Sequence, residues 1–177
     1  MGILTARSEA IEATVQFEYD MSNFLCIILG LDQSTSRAFG NTQSAFGFID
    51  KLILLTDLNI FDENEKKKFW KLGEIRNKFA HVKDISTFTK CFEKVEIKIK
   101  FWNELYLHKK NLDAKLSDLI AHYNASNIEE EKNGILFNIL ITDLTKIIEN
   151  NIMKVKIRSP EYVKNLPYMN HNQSFIP

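Results

Sequence analysis

The stretch Asp62-Glu63-Asn64-Glu65-Lys66-Lys67-Lys68-Phe69-Trp70-Lys71-Leu72-Gly73-Glu74-Ile75-Arg76-Asn77-Lys78-Phe79-Ala80-His81 reads as one helix from cap to end. Asp62 followed three residues later by Glu65 is the sequence form of a capping box, in which each side chain satisfies a backbone N–H of the other. Phe69, Leu72, Ile75 and Phe79 then recur at helical spacing and form an apolar arc, while Lys67, Lys71 and Lys78 fall opposite it, toward solvent.

The same period extends along the chain in both directions. Ala10, Val15, Met21, Leu25 and Ile28 lie on a rough stripe, which predicts a first helix over residues 5–31 ending near Gly30. The polar segment 32–42 reads as a loop, and Phe46, Ile49, Leu52, Ile53 and Leu55 predict a second helix over 42–58. Phe88, Phe92, Val95, Ile99, Trp102 and Tyr106 step by three and four residues, so 88–106 reads as helix. Val95, Ile97, Ile99 and Phe101 also alternate as a strand does, and helix versus strand stays open over 93–101. A further helix fits 112–123. Ser126 is a candidate cap for a long helix over 128–152 with Ile135, Leu136, Ile139, Leu140, Leu144, Ile147 and Ile148 inside. Met153, Val155 and Ile157 alternate briefly and predict a short extended piece. All three prolines (Pro160, Pro167 and Pro177) lie near the end, so the commonest helix breaker is missing from everything before them. The fold class expected is all-α, a bundle of about five to six helices. It forms one domain over 1–155, with an irregular C-terminal tail over 156–177.

The composition narrows the function. The chain has 177 residues, 45% of them apolar, with 23 basic and 23 acidic side chains. Such a composition suits a single globular domain and excludes an acidic disordered chain. Zero net charge excludes a protein that coats nucleic acid through bulk positive charge. The zero is unevenly built: residues 1–59 carry a net −4, 60–110 a net +5 and 111–177 a net −1. The basic segment is the one holding Arg76 and His81. Cys26 and Cys91 are far apart and set among apolar residues, which reads as two reduced thiols and a cytoplasmic location. The first residues lack the apolar core of a signal peptide, and the apolar run 24–31 is far below the ~20 residues a membrane span needs. No membrane association is expected.

Within the deciding stretch, Arg76-Asn77-Lys78-Phe79-Ala80-His81 is the segment with chemistry in it. At ~100° per residue, Arg76 falls at the edge of the apolar arc, and Asn77 and His81 share the next stripe with Trp70 and Gly73. A guanidinium beside a core requires an anion or several acceptors. Arg76 and His81 are about 140° apart on an ideal helix, so they meet one ligand only near a helix end or with help from a second chain. Gly73 permits close approach of another helix, which points to a helix–helix contact, including a two-fold dimer contact. Each residue also has a plainer reading. Arg76 could pair with Glu18, Asp20 or Asp50 from another helix, His81 could cap the helix carbonyls, and Asn77 could bond His81. Trp70 and Trp102 read as core residues.

Arg-Asn-x-Phe-Ala-His near the end of a helix in an all-α bundle resembles the Arg-x4-His motif of the HEPN superfamily. More narrowly, the chain is similar to its mannitol-repressor-like branch. An apolar first helix leading into acidic residues (Ala13-Thr14-Val15-Gln16-Phe17-Glu18-Tyr19-Asp20) and the helices at 44–55 and 135–148 also fit, so the resemblance spans residues 5–152. It implies a homodimer with the motif in a cleft between subunits. It also implies a metal-independent endoribonuclease of toxin or phage-defence type that leaves 2′,3′-cyclic phosphate. In that reading His81 is the acid or base at the 2′-hydroxyl, Arg76 stabilises the pentacoordinate phosphate and Asn77 orients the site. Histidine titrates near neutrality and arginine matches phosphate oxygens, so the residue types suit the task. The mannitol-repressor-like branch implies an alternative: a non-catalytic transcriptional co-regulator or interaction module working through a regulatory or antitoxin protein partner. No helix-turn-helix or basic recognition helix is evident, so direct DNA binding is not expected. His108, His122 and His171 are isolated, Ser44, Ser117 and the cysteines lie in no nucleophile motif, and no phosphate-binding glycine loop is present. No metal and no cofactor are expected.

Overall fold

The computed structural model describes residues 3–40, 44–94 and 125–164. Among these residues every regular element is a helix: α1 (Ile3–Leu29), α2 (Phe48–Asp57), α3 (Glu63–His81), α4 (Phe88–Lys94), α5 (Ala125–Ile157) and α6 (Pro160–Lys164). The architecture is an all-α bundle in which α1 packs against α2, α3 and α5, and α4 fills the space between α3 and α5.

The long helix α1 carries its buried face on Ala6, Ala10, Phe17, Met21, Phe24 and Leu25, which fall on one side of the helix. Thr14 lies on that face too, and its hydroxyl donates back to the carbonyl of Ala10 at 2.7 Å, so the buried polar group is satisfied. Val15, expected on the apolar stripe, is 61% exposed. The helix ends where expected. Gly30 takes φ 65, Leu31 N–H donates to Cys26 O at 2.9 Å and Gly30 N–H to Ile27 O at 3.4 Å, a Schellman closure that a Cβ would strain.

Helix α2 starts at Phe48, later than the expected 42. The Asp50 carboxylate accepts from Gly47 N–H at 3.0 Å. Residues before it are held to the preceding loop by Ala45 N–H to Arg37 O at 3.2 Å and by stacking of Phe46 on Phe39 at 5.3 Å. These contacts hold the backbone away from the helix that its side-chain periodicity suggests. Phe48, Lys51, Leu52 and Leu55 face the core. A second Schellman closure, with Asn59 at φ 53 and Ile60 N–H on Leu55 O at 2.9 Å, reverses the chain into α3. The Asp62–Glu65 capping box forms as read: Asp62 Oδ1 accepts from the N–H groups of Asn64 and Glu65, and Glu65 Oε2 from that of Asp62, each at 2.8 Å.

Aromatic contacts tie the layers together. Phe69 of α3 packs on Phe17 of α1 edge-on at 5.6 Å and stacks on Phe61 at 5.0 Å. At the other end Phe88 meets Phe79 at 90° and stacks on Phe137 of α5 at 4.7 Å. Such pairs add to what their buried area alone contributes. Across that junction Glu130 of α5 caps α4, accepting from the N–H groups of Phe88 at 2.7 Å and Thr89 at 2.8 Å.

Two boundaries of α5 differ from those expected. It starts at Ala125, so position 126 lies inside its first turn and not at the N-cap, and it runs on through Met153–Ile157, where alternation suggested an extended piece. Tertiary contacts decide the latter. Leu144, Ile147, Asn151 and Val155 form one buried seam at helical spacing, and Lys154 Nζ donates to Ile60 O at 3.2 Å. Part of the expected irregular tail is also helical. Pro160 opens α6 at the first helical position, and Ser159 Oγ accepts from Tyr162 N–H at 3.1 Å. For 88–106, residues 88–94 are helical; 95–106, the helix expected at 112–123 and residues 165–177 lie outside the described residues.

Candidate functional site

Helix α3 carries all three motif residues, and its packing fixes where they point. Phe69, Leu72, Ile75 and Phe79 are fully buried, which anchors the helix in rotation and leaves Arg76 half-buried at the edge of that face, as the wheel predicts. Asn77 and His81 are exposed, and His81 is the last residue of the helix. The Arg76 guanidinium donates through Nη1 to Asn77 Oδ1 at 3.0 Å.

None of the three carboxylates that sequence reasoning offered to Arg76 takes it. Glu18 binds Lys51 Nζ at 2.8 Å, Asp50 accepts from the backbone of Gly47, and Asp20 accepts from Gln16 at 3.3 Å. Burial pushes the Asp20 carboxyl above its ordinary range, and the Gln16 bond opposes that shift. Among the described residues Arg76 makes no ion pair. The plainer readings of the other two are not met either. Asn77 Oδ1 serves Arg76, and the carbonyl of Lys78 at the helix end accepts from the N–H of Val82. Among the described residues the His81 side chain has no hydrogen-bond partner.

The surroundings differ from expectation in three respects. Trp70, expected in the core, is 40% exposed on the stripe that leads to Asn77 and His81. Gly73 admits a close neighbour, but from the same chain: a Cβ there would lie 3.2 Å from Ile49 Cδ1 and 3.4 Å from the Phe48 ring of α2. The lysines of α3 are partly neutralised, Lys66 by Glu63 at 3.3 Å, Lys71 by Glu74 and Lys68 by Asp143 at 3.6 Å, while Lys67 is exposed. Lys71 and Lys78 are half-buried, so neither is the fully solvated residue expected.

A second polar cluster was missed in the sequence. Lys51 stands on the buried face of α2 between Phe48, Leu52 and Leu55, and its side chain is 2% exposed. A lysine at the helical spacing of the apolar residues was the available signal, and the matching acid, Glu18, sits beside Phe17 and Met21 of α1.

Both thiols are free and buried. Desolvation pushes the Cys91 thiol up to about 12 and also raises that of Cys26, so neither is set up as a nucleophile. No group of three or more His, Cys, Asp or Glu among the described residues is placed to hold a metal ion, and no helix there is long and apolar enough to cross a membrane. His108, His122, His171, Ser117 and Trp102 lie outside the described residues. No family model, curated protein or solved structure matches the chain.

Proposed function

We propose that this chain is a HEPN-like cytoplasmic protein that acts as a homodimer and cleaves RNA without a metal. His81 is the acid or base at the 2′-hydroxyl, Arg76 is the phosphate ligand and Asn77 holds the guanidinium. The observation that carries this reading is the unsealed state of Arg76. A half-buried guanidinium whose candidate carboxylates are engaged elsewhere keeps its charge for an incoming anion. A neutral amide as its neighbour orients the group without neutralising it. His81 at the open end of the same helix supplies an imidazole, a side chain able to act as acid or base. One copy supplies one His81, so two copies of this motif facing one cleft would supply both an acid and a base.

The exposed Trp70 favours a second reading, a non-catalytic co-regulator similar to the mannitol repressor, in which a partner protein covers that stripe.

Incubation of pure protein with RNA in EDTA separates the two. Cleavage that leaves 2′,3′-cyclic phosphate ends and is lost in both Arg76→Ala and His81→Ala supports the ribonuclease. Intact RNA at micromolar wild-type protein overturns it and leaves the interaction module.

A further inference from the structure

A lysine side chain brings three N–H donors wherever it is buried. Lys51 spends one on Glu18 Oε1 at 2.8 Å, and among the described residues the other two find no acceptor. The second oxygen of Glu18, whose side chain is 32% exposed, likewise accepts nothing there. This pair lines a cavity of about 300 Å³ completed by Tyr19 and Ser22 of α1 and by Gly40 and Ser44 of the following loop. Val15, also lining it, stands exposed at its mouth. Buried donors without acceptors are unfavourable, so the cavity is set up for a polar occupant.

The charges select its chemistry. A lone anion drawn to Lys51 meets Glu18 at the same place, and a lone cation drawn to Glu18 meets Lys51. A compact molecule carrying both charges on neighbouring atoms satisfies both at once, closing a ring of alternating charge. The volume lies at the small end of ligand sites, which suits a compact molecule. Ser22 and Ser44 add hydroxyl oxygens with lone pairs to spare, since each donates its own proton to a backbone carbonyl. Tyr19 and Val15 give an apolar flank for a side chain. We propose that the cavity between α1 and α2 binds a free α-amino acid, its carboxylate on the Lys51 ammonium and its ammonium on Glu18. The site involves none of Arg76, Asn77 and His81 and stands whatever their role.

Titration calorimetry of the full chain with the common L-amino acids tests this, with acetate, methylammonium and inorganic phosphate as single-charge controls. At least one amino acid is expected to bind with Kd below about 1 mM, and the controls at least about tenfold more weakly. Lys51→Met should lose at least about tenfold in affinity. Val15→Trp alters only the exposed mouth and leaves the pair intact. It should lose as much with an unchanged Tm, and it decides the matter if Lys51→Met does not fold. No heat and no Tm shift with any amino acid at about 10 mM overturns the proposal in favour of a solvent-filled cavity. Acetate or phosphate binding as tightly as the amino acids overturns it in favour of an anion site. Wild-type affinity in both variants places the ligand elsewhere and also overturns it.

Discussion

Lys51 of α2 and Glu18 of α1 form an ion pair at 2.8 Å in which the lysine is buried and the glutamate is half-exposed. Removing one partner leaves the other uncompensated, and the penalty is larger for the member further from water. Glu18→Ala, which strands the buried ammonium, should therefore destabilise by about 2–4 kcal/mol, reduced from the fully buried case because solvent reaches the glutamate side. Lys51→Met, which replaces the charge by an apolar chain of similar length, should cost less than Glu18→Ala, about 0–2 kcal/mol. Urea midpoints of the two variants check the order, and equal losses would show that the pair is solvated.

Glu130 acts as a cap from a distance. Its two carboxylate oxygens accept from Phe88 N–H, Thr89 N–H and Thr89 Oγ1, so α4 begins only where α5 supplies the acceptor. Glu130→Ala should cost about 1–3 kcal/mol and Glu130→Gln about half of that, since the amide keeps one acceptor. Faster amide exchange at Phe88 and Thr89 in both variants is the specific signature. Unchanged exchange there would remove the capping role.

The close approach at Gly73 sets a size limit. Alanine gains about 1 kcal/mol of helix propensity over glycine but puts its Cβ at 3.2 Å from Ile49 Cδ1, the movable end of a half-buried side chain. Gly73→Ala should be neutral within about 1 kcal/mol, while Gly73→Leu, which cannot be absorbed by a shift of Ile49, should cost about 1–3 kcal/mol. Thermal melts of both distinguish them. A harmless leucine would mean that α2 does not sit on α3 as described.

Burial holds the Cys91 thiol at about 12, above its ordinary 9.0. An acid whose folded value is raised keeps its proton in the native state while the unfolded chain ionises. The stability linked to Cys91 is therefore complete below about 9 and is lost as pH rises toward about 12. Wild type should lose stability between pH ~8 and ~10.5 more steeply than Cys91→Ala. A disulfide reagent at pH ~8 should label neither cysteine in the native protein and both after unfolding. Rapid native labelling of Cys91 would contradict its burial.

How far the sequence could be read depended on how local the deciding contact was. The Asp62–Glu65 box, the Gly30 closure and the apolar arc of α3 each involve residues within a turn or two of one another, and all three form as read. The end of α5 misled because the residues that hold it helical, Ile60 and Glu65, lie about ninety positions away in the chain. The late start of α2 has a nearer cause, the pairing of residues 44–46 with 37–39, a loop contact that helical periodicity does not report. At the site, the edge position of Arg76 was legible from the wheel. The wheel alone did not reveal that Glu18 is claimed by Lys51, because choosing among three carboxylates for one arginine requires the packing of α1 on α2.

Asn77 offers the sharpest test of the site because its carbonyl oxygen is what the guanidinium of Arg76 touches, at 3.0 Å. Asn77→Asp keeps the shape and makes that acceptor an anion, so the guanidinium gains the intramolecular carboxylate that the natural sequence withholds. The position is exposed, so stability should stay within about 0.5 kcal/mol of wild type. On the ribonuclease reading the new carboxylate competes with the RNA phosphate, and kcat/KM in EDTA should fall by about 10²-fold or more. Asn77→Ala leaves the charge free and removes only its orientation, so its loss should be milder, about tenfold. That order is what makes the pair informative. If Asn77 merely braced the helix end, aspartate would substitute for it and alanine would be the worse variant. Cleavage by Asn77→Asp at the wild-type rate would mean that the Arg76 charge plays no part in the reaction.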